Sequence, residues 1–195
     1  MRHRGKLLVG VLTAVMVVAV GCGEQGAPTL PETAAPTNVR VESGRNQRLV
    51  KALARDRALT GALSVTQRVG AKGGVIVLPG SGLRVTIPAG ALPLTPGQRY
   101  IDITVSAVPG PSLAYNFEPH GLVFRTPLLV EQTLSRTELD ANRRLAASMR
   151  GAYFEGDVLD GFANVLEERP TTVDVTRRQL SFWVEHFSGY LVAVG

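Results

Sequence analysis

The sequence predicts an all-β chain, an antiparallel β-sandwich set behind an N-terminal leader and a flexible stalk. Three observations point there. From residue 65 onward the apolar residues recur every second position, as in Leu83, Val85 and Ile87 or Ile101, Ile103 and Val105, which is the pattern of half-buried strands. The runs are short and are separated by turn chemistry at Pro79-Gly80-Ser81-Gly82, Pro96-Gly97, Pro109-Gly110-Pro111 and Asp160-Gly161. Helical periodicity is almost missing from this part of the chain, and many short strands with frequent Gly and Pro turns make a sandwich.

Composition agrees with a folded protein. Of 195 residues 45% are hydrophobic and 19% charged, which excludes a disordered or collagen-like chain. The formal charge is +5, but its placement matters more than its size. Arg2, Arg4 and Lys6 carry three of the five charges, and six basic against four acidic residues between 22 and 64 carry the other two. Residues 65–195 are neutral overall, so they lack the phosphate-neutralising surface that nucleic-acid binding requires.

Residues 1–21 read as a secretory signal peptide. The three basic residues form its n-region, and the apolar run from Leu7 to Val20 is 14 residues long, too short to span a bilayer as a helix. Ala19-Val20-Gly21-Cys22 follows, and Cys22 is the one cysteine of the chain. This matches the bacterial lipobox, although Ala19 stands where that pattern more often has Leu. The resemblance implies cleavage before Cys22, a diacylglycerol on its thiol and acylation of the new N-terminus. Cysteine usage is consistent with that: once Cys22 carries lipid, no thiol remains for a disulfide or a Cys-based zinc site. Several acyl chains anchor far more firmly than one. Gly23 replaces the Asp that retains many such proteins in the inner membrane, which leans towards the outer membrane. The expected location is extracytoplasmic, with the membrane as partner through Cys22.

Residues 22–64 read as a lipid-anchored stalk. From Gly23 to Gly44 the chain is rich in Pro, Ala, Thr, Gly and Glu without hydrophobic period. Residues 45–59 set Leu49, Val50, Leu53 and Ala54 at helical spacing among five basic residues. They read as a solvated, partly helical linker, or alternatively as a short basic amphipathic helix on anionic lipid heads.

Residues 65–195 form the predicted sandwich. Beyond the two alternating segments above, strands are expected at Val75–Leu78, Pro127–Thr133, Gly151–Glu155, Thr171–Val175, Gln179–His186 and Tyr190–Val194. Thr137–Met149 is the one candidate helix.

Three stretches carry a family resemblance. They are Gly73–Leu92 (GGVIVLPGSGLRVTIPAGAL), Glu118–Pro127 (EPHGLVFRTP) and Val184–Tyr190 (VEHFSGY). In this order they resemble the ZU-five domain shared by zonula occludens proteins, netrin receptors of the uncoordinated-five class and ankyrins. The resemblance covers most of residues 70–195 and implies a β-sandwich module. It implies no particular function, because sites rather than folds carry function. The death domain and second module of the eukaryotic relatives have no counterpart here, so their signalling and spectrin binding are not carried over.

His186-Phe187-Ser188 is the sharpest chemical candidate. Some relatives cut themselves between the Phe and Ser of this motif, so the resemblance implies attack by the Ser188 hydroxyl on the Phe187 carbonyl with His186 assisting. Such an acyl shift requires a strained peptide, the hydroxyl in reach and a base. The competing reading is structural: His186 is in phase with Leu180, Phe182 and Val184. Cleavage would release only Ser188 to Gly195. The structural role is the preferred reading.

No HExxH or other metal-ligand spacing accompanies His120 and His186, and no metal or cofactor is expected. Asp157, Asp160 and Gly161 resemble a fragment of a calcium loop but lack its alternating ligands. A glycan-binding or glycan-cleaving module would need an exposed aromatic platform or two facing carboxylates. Tyr153, Phe154, Phe162, Trp183 and Phe187 are read chiefly as core. The function expected from sequence is thus a membrane-anchored lipoprotein carrying a non-catalytic interaction or structural module, with an unidentified protein partner. Self-cleavage between Phe187 and Ser188 is the alternative.

Overall fold

The computed structural model describes residues 47–140 and 142–195. The predicted signal peptide, Cys22 and the stalk up to residue 46 lie outside the described residues. The described chain opens with β1 (Arg48–Ala52) and β2 (Ala54–Leu59), followed by β3 (Ser64–Gly70), β4 (Gly74–Leu78), β5 (Leu83–Ile87) and β6 (Tyr100–Ala107). After β7 (Gly110–Ser112) come β8 (Ala114–Glu118) and the long β9 (Val123–Thr133). The last five are β10 (Arg150–Phe154), β11 (Phe162–Arg169), β12 (Thr171–Asp174), β13 (Gln179–His186) and β14 (Gly189–Val194).

These strands form the antiparallel, sandwich-like all-β fold that the alternation predicts. One sheet runs β1-β11-β10-β14-β8-β6-β3, the other β12-β13-β9-β5-β4, and β2 with β7 makes a separate ribbon. In β5 the inward residues Leu83, Val85 and Ile87 are buried while Arg84 is exposed. They share one core with Ile103, Val105, Phe117, Tyr190 and Val192 of the larger sheet and with Leu128, Val130, Phe182 and Val184 of the smaller. The sheets approach closely at Gly151, where an added Cβ would lie 2.3 Å from the Phe182 ring. Only glycine fits there.

All six residues of β14 are buried, because both faces of this strand are covered. Tyr190, Val192 and Val194 face the main core, while Leu191 and Ala193 belong to a second, smaller one. That second core exists because β1 pairs with β11 at one end and with β14 at the other, which curls this part of the sheet upon itself. Its lining includes Ala52, Ala114, Ala152, Ala163 and Ala193. Small side chains suit the tight interior of a curled sheet.

Two sequence expectations are corrected. Residues 48–59 form β1 and β2 rather than a helix or linker, so the fold begins ahead of residue 65. Pairing overrides the helical propensity of the Ala- and Leu-rich segment. Val50 and Ala52 turn inward, Leu53 is fully buried, and Lys51 donates to Glu138 Oε2 at 2.7 Å. Among the described residues of Thr137–Met149 the helical element is a 3-10 turn, Arg143–Ala147, in place of the expected helix. The Thr137 and Asn142 side chains accept hydrogen bonds from the Leu139 and Arg144 N–H groups. Local bonds of this kind compete with an α-helical ladder. Among the described residues no helix is long and apolar enough to cross a membrane.

The resemblance to a calcium loop dissolves into a turn. Leu159 and Phe162 exchange backbone hydrogen bonds of 2.9 and 2.8 Å around Asp160 (φ 51°) and Gly161 (φ 82°). Two successive positive φ values define a type I′ hairpin, for which Asp-Gly is a preferred pair.

Candidate functional site

The His-Phe-Ser segment bridges β13 and β14, and its surroundings come from distant parts of the chain. Gly121 N–H donates to the Phe187 carbonyl at 2.9 Å, and Phe187 N–H donates to the Leu122 carbonyl at 2.9 Å. Phe117 N–H donates to the Ser188 carbonyl at 3.1 Å. These bonds hold the second motif stretch, Glu118–Pro127, against the third. The first joins them through Arg125 N–H, which donates to the Ala91 carbonyl at 2.8 Å. Three stretches separate in sequence thus meet in space.

A cavity of about 550 Å³ opens beside this junction, and His120, His186 and Ser188 all line it together with Glu118, Tyr153 and Glu155. The two histidines singled out in the sequence therefore share one site. His120 is exposed at the turn after β8, His186 is half-buried, and Ser188 is 7% exposed. Tyr153 packs edge-on against the His186 ring at 5.0 Å between centroids and donates its hydroxyl to Glu155 Oε1 at 2.5 Å. Glu118, Tyr153 and Glu155 carried no sequence signal as site residues. Strand pairing gathers them, and no spacing along the chain reports it.

Phe187 does not face the cavity with its ring. It is fully buried, stacked 5.5 Å from Phe117 and edge-on to Phe124 at 4.7 Å. Tyr190 continues this aromatic cluster and donates its hydroxyl to the His186 carbonyl at 2.9 Å. Burial pushes the Tyr190 phenol well above its ordinary pKa, against an opposing pull from the Arg169 charge.

The arrangement has one of the parts that acyl transfer needs. The Gly121 N–H already sits on the oxygen that would become negative if Ser188 attacked the Phe187 carbonyl, which is the position of an oxyanion-hole donor. Neither Phe187 nor Ser188 has a positive φ; among the described residues the non-glycine positions that do are Arg136, Asp160 and Arg178. The tyrosine contact on His186 is ring packing, whereas a triad needs a hydrogen-bonded acid behind the imidazole.

Among the described residues no group of three His, Cys, Asp or Glu side chains stands close enough to hold a metal. Trp183 is half exposed on β13, where the sequence reading placed it chiefly in the core. Its carbonyl accepts from Arg169 Nε at 3.0 Å, so its backbone is held while its ring is presented. Phe162 is likewise exposed on β11. No protein-family model matches the chain, and no curated protein matches it.

Proposed function

We propose that the chain is a membrane-anchored, extracytoplasmic lipoprotein whose β-sandwich serves as a non-catalytic interaction or structural module. The observation that carries the anchor is the sequence Ala19-Val20-Gly21-Cys22 directly after a 14-residue apolar run with a basic head. The non-catalytic reading rests on the hydrogen-bonded backbone around Phe187 and Ser188 and on the burial of the Phe187 ring. Contacts between the three motif stretches support reading them as one ZU-five-like module rather than as separate short signals.

A second reading has a specific observation in its favour. The Gly121 N–H on the Phe187 carbonyl, with His186 and Ser188 on one cavity, is compatible with self-cleavage at Phe187–Ser188.

Intact mass spectrometry of the full-length chain, taken from the membrane fraction of a bacterial host, tests both. The expected product starts at acylated Cys22 and ends at Gly195. An unlipidated chain overturns the anchor. A lipidated species ending at Phe187, lost in Ser188→Ala, makes His186 and Ser188 functional residues.

A further inference from the structure

The cavity of about 550 Å³ at the His-Phe-Ser junction has carboxylates on its wall and no lysine or arginine. Glu118 and Glu155 supply them, and both residues are exposed. Strand pairing sets the two on either side of the entry to β14. Asn116 of β8 and Phe154 of β10 both stand across from Gly189, the first residue of β14, so they lie two strand spacings apart, roughly 10 Å. Glu118 comes two residues after Asn116, Glu155 directly after Phe154, and Ser188 directly before Gly189. With β14 antiparallel to both neighbours, all three residues fall at the same end of three adjacent strands.

Ser188 lies between the carboxylates and has an unmet bond of its own. The residue is 7% exposed and lines the cavity. Its backbone carbonyl accepts from Phe117 N–H, but its hydroxyl has no hydrogen-bond partner among the described residues. That hydroxyl is not among the fully enclosed polar atoms left without a partner, so it opens on the cavity. A buried hydroxyl without a partner is costly, and a polar ligand group at bonding distance offsets that cost. Tyr153 adds an aromatic wall, half-buried and held edge-on to His186. Among the described residues no three ligating side chains converge on a metal, so the paired charges suit an extended cation better than a point ion.

We propose that this cavity binds a small organic cation, an aliphatic diamine. One ammonium group pairs with Glu118 and the other with Glu155, and the Ser188 hydroxyl accepts a hydrogen bond from the ligand. The methylene chain lies along Tyr153, whose ring also attracts positive charge. Carboxylates without an opposing basic side chain favour a cation over a neutral or anionic ligand, and the volume is within the range of small-molecule pockets. The inference rests on the non-catalytic reading in one respect: Ser188 serves as a hydrogen-bonding group and not as a nucleophile.

The test is calorimetric titration of the full chain in neutral detergent micelles, at constant ionic strength and pH 8, above the range in which histidine side chains usually titrate. The probes are 1,5-diaminopentane, pentylamine and 1,5-pentanediol. Saturable binding of the diamine is expected, with the monoamine about tenfold weaker and the diol without measurable binding. Glu118→Gln and Glu155→Gln should each weaken diamine binding about tenfold. Both should fold, because Glu118 is exposed and a glutamine at 155 still offers an oxygen to the Tyr153 hydroxyl. Ser188→Ala should weaken binding less, and Glu168→Gln, outside the cavity, should bind as wild type does. Equal affinity for the diamine and the diol overturns the inference, as does binding unchanged in both glutamine variants at 118 and 155 or weakened equally by Glu168→Gln. Intact mass of the same sample separates the two readings. A chain cut at Phe187–Ser188 overturns the non-catalytic reading and this inference with it, whereas an intact chain without saturable binding overturns the inference alone.

Discussion

The two cavities differ in what surrounds their most chemical residue. At the His-Phe-Ser junction the peptide groups of Phe187 and the carbonyl of Ser188 are held by bonds from Phe117, Gly121 and Leu122, and the Phe187 side chain disappears into the core. At a second cavity, about 800 Å³ and lined by Arg55, Asp56, Arg57 and Arg136, the backbone is equally ordered, since Asp56 N–H donates to the Arg136 carbonyl at 2.9 Å and Glu138 N–H to the Ala54 carbonyl at 3.0 Å. There, however, the half-buried Arg55 has two enclosed nitrogens, Nε and Nη2, for which the geometry gives no hydrogen-bond acceptor, with the Tyr115 phenol close beside them. The first cavity attracts notice through a motif, the second through an unmet bonding requirement. A motif reports which residue types are present; an unpaired buried group reports what the fold still lacks.

The largest expected effect tests the structural reading of the first cavity. Phe187→Ala removes a ring packed between Phe117 and Phe124 and should cost about 3–5 kcal/mol, measured by chemical unfolding. A cost below about 1 kcal/mol would mean that Phe187 is held for some purpose other than packing, and the contrast between the cavities would fail on that side. A smaller effect is expected on the other side. Tyr115→Phe deletes the hydroxyl that Gln132 Oε1 accepts, leaving a buried amide oxygen unpaired in a side chain that is 1% exposed, at a cost of about 1–3 kcal/mol. Chemical unfolding checks this, and a cost near zero would show that another donor replaces the lost hydroxyl at Gln132 Oε1.

Most of the sandwich is legible in the sequence, and the gaps have physical causes. Leu83–Ile87 and Gln179–His186 alternate because one face of each strand meets the core, and the observed strands carry those same bounds. The sequence places β14 at Tyr190–Val194, one residue short of its bounds, although both of its faces are buried and alternation is erased. β1 and β2 look helical because Ala, Leu and Arg are good helix formers, and the pairing of β1 with β11 and β14 that overrides this is a long-range event. At the site, His186 and Ser188 are visible as a motif, and His120 as part of another. Their meeting on one cavity depends on the Gly121–Phe187 and Phe187–Leu122 bonds, which join residues more than sixty positions apart. Arg55 offered nothing but charge. Its distinction is the state of its Nε and Nη2, a property of packing that residue type does not encode.

The smallest effect concerns two buried phenols, one at each cavity. Tyr190 lies against His186 and Tyr115 lies against Arg55, and burial raises both above the ordinary value of 10.0. A raised phenol pKa in the folded state favours the neutral form. The corresponding stability is complete below pH 10 and falls as pH climbs beyond it, because the unfolded chain releases these protons first. Thermal unfolding between about pH 8 and 11 should therefore show Tm level at first and then declining. Tyr190→Phe should lower Tm at pH 8 through the lost bond to the His186 carbonyl, worth about 1 kcal/mol, and should flatten the alkaline decline. Tyr115→Phe should flatten it too, since its phenol is opposed only in part by the Arg55 charge. An alkaline decline unchanged in both variants would mean that neither phenol is as shielded as its packing indicates. The two cavities would then differ in the bonding of Arg55 alone and not also in the aromatic floors beneath them.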